Sequence, residues 1–159
     1  MSLDIPSIQE IDGSGFRIAV IASRYNEALV DSLVRHALAI IEQSDAETPL
    51  VVRVPGAAEL PFAAATLARR DCFDAIICIG VVIAGDTSHH EIIGQSTATA
   101  LLDISISERV SVINGILVVN SLAQAEARAG ESINRGKEFA LAALEMAQFR
   151  KQWKNQPNP

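Results

Sequence analysis

Two adjacent histidines, His89 and His90, stand directly after the turn Gly85-Asp86-Thr87-Ser88, which follows an apolar run from Ala75 to Ile83. An imidazole titrates near neutrality, so one placed beside a reacting group can carry protons. The turn offers backbone amides and the Thr87 hydroxyl, enough to hold a single phosphate. Gly80 to Thr87 fits the nucleotide-binding pattern G-x-x-x-x-G-K-[ST] at every place but one, because Asp86 occupies the lysine position. Lacking that cation, and apolar between its glycines, the segment does not read as a nucleoside-triphosphatase loop. Neighbouring residues of an extended chain face opposite ways and no H-E-x-x-H spacing is present, so no metal site is expected.

A phosphate still needs a cation. Arg128 or Arg135, brought in from elsewhere, would meet that need. Arg128 precedes Gly130 near a helix end, where it could equally complement the helix dipole, with Gly130 as a C′ residue.

Two further segments carry functional residue types. In Ser23-Arg24-Tyr25-Asn26 the aromatic follows a branched apolar run. It could stack on a flat ring or merely cover the core edge. Asn26 could cap the next helix, which does not exclude ligand contact. In Val54-Pro55-Gly56-Ala57-Ala58-Glu59-Leu60-Pro61, Gly56 permits close backbone approach. Glu59 either accepts hydrogen bonds, for instance from hydroxyls, or simply favours a helix start by its charge. His36 lies near Ser32 and Arg35 on a polar helix side and is expected to be solvated.

The elements that must position these residues alternate strictly. Arg17–Ser23, Leu50–Val54, Ala75–Ile83 and Val112–Val119 read as strands, the third buried on both faces. Helices are expected from Asn26, over Pro61–Arg70, His90–Asp103, Leu122–Ala129 and Gly136–Gln152. The first carries Leu29, Leu33, Ala37, Ile40 and Ile41 on one stripe, and the last Ala140, Ala143, Leu144 and Ala147. Such β-α alternation implies an α/β fold with a four-stranded parallel sheet covered on both faces. Ligands in these folds sit outside the carboxyl ends of the strands, where all the segments above fall. Residues 1–15 form a lead-in with Ile5, Ile8 and Ile11 as possible anchors, 16–153 one domain, and 154–159 a flexible tail.

Composition narrows the classes. A chain of 159 residues is one domain with a sizeable core. With 49% hydrophobic and only 20% charged residues, part of the surface is expected to be covered by partner subunits. The net charge of -6 argues against a nucleic-acid face. No apolar segment reaches membrane-spanning length and no basic-then-apolar leader opens the chain, so a cytoplasmic protein is expected. Cys72 and Cys78 lack C-x-x-C spacing and read as buried free thiols.

Taken together, these segments resemble the lumazine synthase family from about Phe16 to Phe149. The resemblance is carried by S-R-[FYW]-N at Ser23–Asn26, V-P-G-A-x-E-x-P at Val54–Pro61 and G-x-V-I-x-G-x-T-x-H at Gly80–His89. Gly115-Ile116-Leu117, Gln124-Ala125 with Arg128-Ala129-Gly130, and Ala143-Leu144-Glu145-Met146 follow in order. It implies a flavodoxin-like three-layer α/β/α sandwich, assembled as homopentamers or multiples of pentamers with sites between subunits. The implied reaction condenses 5-amino-6-(D-ribitylamino)uracil with 3,4-dihydroxy-2-butanone 4-phosphate to 6,7-dimethyl-8-ribityllumazine, phosphate and water. No redox or metal step is needed, so no cofactor is expected. By the same resemblance Tyr25 stacks on the pyrimidine, beside Asn26. Ala57, Ala58 and Glu59 hold the ribityl chain, and main-chain groups of Val81, Val82 and Ile83 bind the ring. Asp86 and Thr87 form the phosphate turn, and His89 transfers protons. Arg128, with Asn114 and Arg135 on its side, reaches in from a neighbouring subunit.

The sequence departs from the family pattern in three places. Asn114 replaces the usual aromatic, Ala84 a common basic residue, and Arg135 a frequent Lys, which touches substrate affinity rather than reaction type. Two other readings stand beside it: an archaeal-type riboflavin synthase, and a non-catalytic flavin- or pyrimidine-binding or shell-forming protein.

Overall fold

The computed structural model describes residues 11–154. The anchors Ile5 and Ile8 and the tail from Asn155 lie outside the described residues. Ile11, at the near end of the lead-in, packs against the core.

Four strands, β1 (Ile18–Ser23), β2 (Leu50–Val54), β3 (Ala75–Ile83) and β4 (Ser111–Val119), pair in parallel in the order β2-β1-β3-β4. The helices are α1 (Glu27–Gln43), α2 (Leu60–Ala68), α3 (His89–Glu108), α4 (Leu122–Ala129) and α5 (Arg135–Lys154), with a single 3-10 turn over Ala57–Glu59 before α2. This is the doubly wound α/β arrangement read from the alternation, with flavodoxin-type order through its first four strands.

Side-chain alternation along the strands divides the core in two. Ile18, Val20, Ile77, Ile79 and Leu117 face α1, α4 and α5. Ala19, Ile21, Ile76, Cys78 and Val112 face α2 and α3. Ile76, Ile77 and Ile79 are fully buried, each contributing about 1.5–3 kcal/mol of apolar transfer free energy. The strand needs branched residues on both faces because both are covered, which is why its sequence shows no alternation.

Strand and helix positions follow the sequence reading closely, with one large shift. The third helix runs five residues past its expected end at Asp103 to Glu108. Ile104 there packs against the second core, and the Ser105 hydroxyl accepts the Val112 amide at 2.7 Å, so tertiary contacts carry the helix on. It stops at Arg109 in a left-handed conformation (φ 54), whose carbonyl accepts Arg150 Nε at 3.0 Å. Close packing of α1 on α5 needs Gly136, where a Cβ would lie 2.4 Å from the Leu33 carbonyl oxygen.

Three side readings change. His36 is half-buried rather than solvated, its Nδ1 lying 3.2 Å from Asn134 Nδ2, because α5 closes over that side of α1. Gly130 is itself the last cap of α4, with φ -86 and extended backbone, so it is no left-handed C′ residue. Cys72 is half-buried, since it lies in the turn beyond α2 rather than in the sheet. Cys78 is buried and free, and burial pushes its thiol far above the ordinary value. Native protein at pH 8 is therefore expected to lose Cys72 alone to a thiol-reactive dye, with Cys78 reacting only after unfolding.

At the amino end of the sheet, Asp71 accepts from Arg150 Nη2 at 2.6 Å and Lys154 Nζ at 3.2 Å, tying the end of α5 to the turn after α2. The hydrogen bond from Arg150, then that from Lys154, holds the Asp71 carboxyl below the usual carboxylate value. The ionised form is thus favoured by folding. Its contribution is complete above the unfolded value near pH 4 and disappears as pH falls through the lower folded value. Asp71→Asn is expected to lower the melting temperature at pH 6 and to melt with the parent at about pH 2–3.

Candidate active site

In a sheet of this order the chain leaves β1 toward β2 on one side and β3 toward β4 on the other. The carboxyl ends of β1 and β3 therefore flank a natural crevice. Tyr25 and Asn26 follow β1 there. The tyrosine is 73% exposed, an unusual state for a large ring at the end of a fully buried strand. Its ring lies beside Gly56 at the end of β2, where a Cβ would come within 3.2 Å of it. Glycine at this position lets the ring lie against the backbone.

Asn26 occupies the N-cap position of α1 but makes no side-chain cap. Its backbone is left-handed, which turns the side chain away from the helix, and Nδ2 donates to the Val81 carbonyl at 2.9 Å. The capping role is thus replaced by a bridge across the crevice from β1 to β3. Ser23, at the last position of β1, is buried and its hydroxyl has no hydrogen-bond partner among the described residues.

Glu59 is exposed, and its Oε2 accepts the Gly56 amide at 2.7 Å. The carboxylate at the third position of the short turn thus reaches back to its start, which is one half of a capping box, since Gly56 has no side chain to return the bond. One oxygen is engaged by that bond, and the other makes none among the described residues and is left as an acceptor. Ala57 is buried beneath it, while Ala58 is exposed beside it.

At the end of β3, Val82 and Ile83 are half-buried, and just beyond it Ala84 donates its amide to the Val119 carbonyl at 2.8 Å. Gly85 through His89 are exposed. The amides of Gly85, Asp86, Thr87 and Ser88 donate to no backbone carbonyl among the described residues. They precede the N-terminus of a 20-residue helix, so free N–H groups and the positive helix end coincide. A phosphate fits that environment. The Asp86 carboxylate opposes it unless it points to solvent, where it is exposed.

His89 and His90 are the first two residues of α3, so they stand about 100° apart around its axis rather than facing opposite ways as in an extended chain. His90 Nδ1 lies 3.2 Å from the Thr87 carbonyl, whereas His89 makes no hydrogen bond among the described residues. His89 is thus the imidazole left free for a ligand. No group of three or more His, Cys, Asp or Glu side chains suited to a metal occurs among the described residues.

The family model for 6,7-dimethyl-8-ribityllumazine synthase matches residues 15–151. Curated proteins of that name from several organisms are similar over most of their length. The one from Methylobacterium radiotolerans is 46% identical over 132 residues, 82% of this chain and 80% of that one. The Aquifex aeolicus protein is 40% identical over 141 residues (87% and 92%), and the Pyrococcus furiosus protein 38% over 144 (90% and 91%). The chain belongs to the 6,7-dimethyl-8-ribityllumazine synthase family.

The remaining residues that resemblance to this family suggested stand on α4, α5 and β4. Arg128 is on α4, whose Ala125 and Ala129 pack in the α1/α5 layer, while α3 and its His89 belong to the opposite layer. Its Nη1 donates to the Gln124 carbonyl of its own helix at 3.0 Å. Arg135 pairs with Glu138 within α5. Asn114 is exposed on β4, its Oδ1 accepting the Ile116 amide at 3.1 Å. It stands five residues before the strand's carboxyl end, roughly 16 Å from it at strand rise. Within one protomer, Tyr25 and Glu59 both lie against Gly56, Asn26 bonds to Val81, the amide turn and His89 follow β3, and Arg128, Asn114 and Arg135 stand on α4, β4 and α5.

Two features escaped the sequence reading. The Gly56–Glu59 bond has a legible signal, a carboxylate three residues after a turn glycine. The Asn26–Val81 bridge has none, because it joins residues 55 apart in the chain.

Proposed function

We propose that this chain is a transferase condensing 5-amino-6-(D-ribitylamino)uracil with 3,4-dihydroxy-2-butanone 4-phosphate to 6,7-dimethyl-8-ribityllumazine, a step of riboflavin biosynthesis. The observation that carries the reading is the crevice between β1 and β3. It joins an exposed ring, an exposed carboxylate, unpaired amides at a helix start and an unbonded imidazole, on a chain of this family.

The pyrimidine stacks on Tyr25, with its polar edge toward the main chain of Val81, Val82 and Ile83. The ribityl hydroxyls meet Glu59 over Ala57 and Ala58. The butanone phosphate lies on the Asp86–Thr87 turn. The 5-amino nitrogen attacks the ketone carbon, and the carbinolamine loses water to an imine. Loss of a proton from the adjacent carbon then drives out phosphate, whose oxygen leaves with the bonding electrons. The resulting enol becomes a methyl ketone. The ribityl-bearing nitrogen closes the ring on it, and a second water leaves. Every step is a proton transfer or an addition–elimination, with no change of oxidation state to be supplied from outside. His89 moves the protons, and alignment of two reactants supplies much of the rest. Thr87, the turn amides and an arginine stabilise the departing anion.

That arginine is Arg128 of a neighbouring subunit, with Asn114 and Arg135 beside it, because its own protomer keeps it in the layer opposite α3. The assembly we propose is a homopentamer or paired pentamers. Exposed apolar side chains support burial between subunits: Phe62 is 80% exposed on α2 and Ile106 76% on α3. The phosphorylated substrate does not cross membranes unaided, which favours the cytoplasm.

Mixing the two substrates with the protein is expected to give lumazine absorbance and one phosphate per turnover. An archaeal-type riboflavin synthase would act without the butanone phosphate, and a non-catalytic binder would release no phosphate. Either result would end this reading.

A further inference from the structure

The ladder between β1 and β3 ends at Ala22 opposite Ile79, whereas β3 stays paired with β4 as far as Ile83 opposite Val119. Past Gly80, therefore, β3 has no strand on its β1 side. The Val81 carbonyl is met there by a side chain, Asn26 Nδ2 at 2.9 Å. Asn26 holds φ 56 and ψ 45, a region that asparagine enters more readily than most non-glycine residues. The position thus demands two things at once: left-handed backbone and a neutral N–H donor of this reach. Glycine has the first without the second, and an ionised aspartate accepts but cannot donate.

We infer that Asn26 is a positioning residue, which ties the Tyr25 loop to the unpaired end of β3 and so fixes the gap between the stacking ring and the Val81–Ile83 backbone. The Tyr25 side chain makes no hydrogen bond among the described residues, and its ring lies beside Gly56 but is largely exposed. The neighbouring tether is what holds the loop at a set distance from β3. A flat heterocycle entering the gap then finds both walls in place and does not have to order them. The inference rests on the proposed use of this gap for the pyrimidine.

Asn26→Asp keeps the size and the backbone preference but removes the donor. Asn26→Gly keeps the backbone and removes the tether. Each is expected to raise KM for the ribitylaminouracil about tenfold while KM for the butanone phosphate stays within about twofold. Binding of 6,7-dimethyl-8-ribityllumazine, followed by its own fluorescence, is expected to weaken by a similar factor. Unchanged lumazine affinity in both variants would overturn the positioning role. So would equal losses for both substrates that track a fall in melting temperature. The binding arm is independent of turnover. A parent protein that binds lumazine but makes none would end the proposed function, and a tenfold loss in the Asn26 variants would still support the tether.

Discussion

With His89 replaced by alanine, kcat is expected to fall about a hundredfold while KM for either substrate changes by no more than about twofold. The imidazole is exposed and unbonded, so its removal disturbs no packing and leaves the turn amides in place. The expected loss lies at the lower end for general acid–base groups because solvent reaches the same position and can carry protons in its stead. Added imidazole should restore part of the rate. Steady-state kinetics of the lumazine product measures all of this, and an unchanged kcat would remove His89 from the chemistry.

Replacing Arg128 by alanine should act on the other reactant. A guanidinium on a phosphate is a charge-assisted contact worth about 1.5–3 kcal/mol, so KM for the butanone phosphate is expected to rise about tenfold to a hundredfold. KM for the pyrimidine should stay near the parent value, and Arg128→Lys should recover part of the loss. The side chain's one described bond is to its own helix, at the Gln124 carbonyl. The bonds at the start of α4, where the Gln124 amide donates to Ser121 Oγ at 3.3 Å and Gln124 Oε1 accepts the Asn120 amide at 2.9 Å, remain intact in the variant. The melting temperature should therefore hardly move. If butanone-phosphate affinity survived the change, the anion site would lie elsewhere.

The sheet was legible because its strands are short runs rich in branched apolar residues, β2 and β3 closed by Pro55-Gly56 and Gly85-Asp86, and β3, covered on both faces, shows itself as nine apolar or small residues in a row. The end of α3 was not, since Ile104 and Ser105 continue the helix for the sake of the second core and the start of β4. Local propensity does not record such contacts. The same division runs through the site. His89 and the amide turn could be placed from spacing alone, because a strand end fixes where the next few residues go. In sequence Glu59 reads either as a hydrogen-bond acceptor or as a helix-start charge, and its bond to the Gly56 amide emerges only when the turn is formed. Asn26 looked like a helix cap because it stands where caps stand. Its left-handed backbone sends the amide across to β3 instead. Arg128 is sought as a distant cation on chemical grounds, and it stands on α4, in the layer opposite α3.

Whether each site draws on two subunits is what complementation measures most directly. His89→Ala and Arg128→Ala protomers, each nearly inactive alone at low butanone phosphate, would be unfolded together and reassembled in equal amounts. If each site takes His89 from one protomer and Arg128 from its neighbour, about a quarter of the sites in a random mixture regain both groups, and about a quarter of parental activity returns. If the mixture is no more active than the mean of its two components, the two groups belong to one chain and the shared site is wrong.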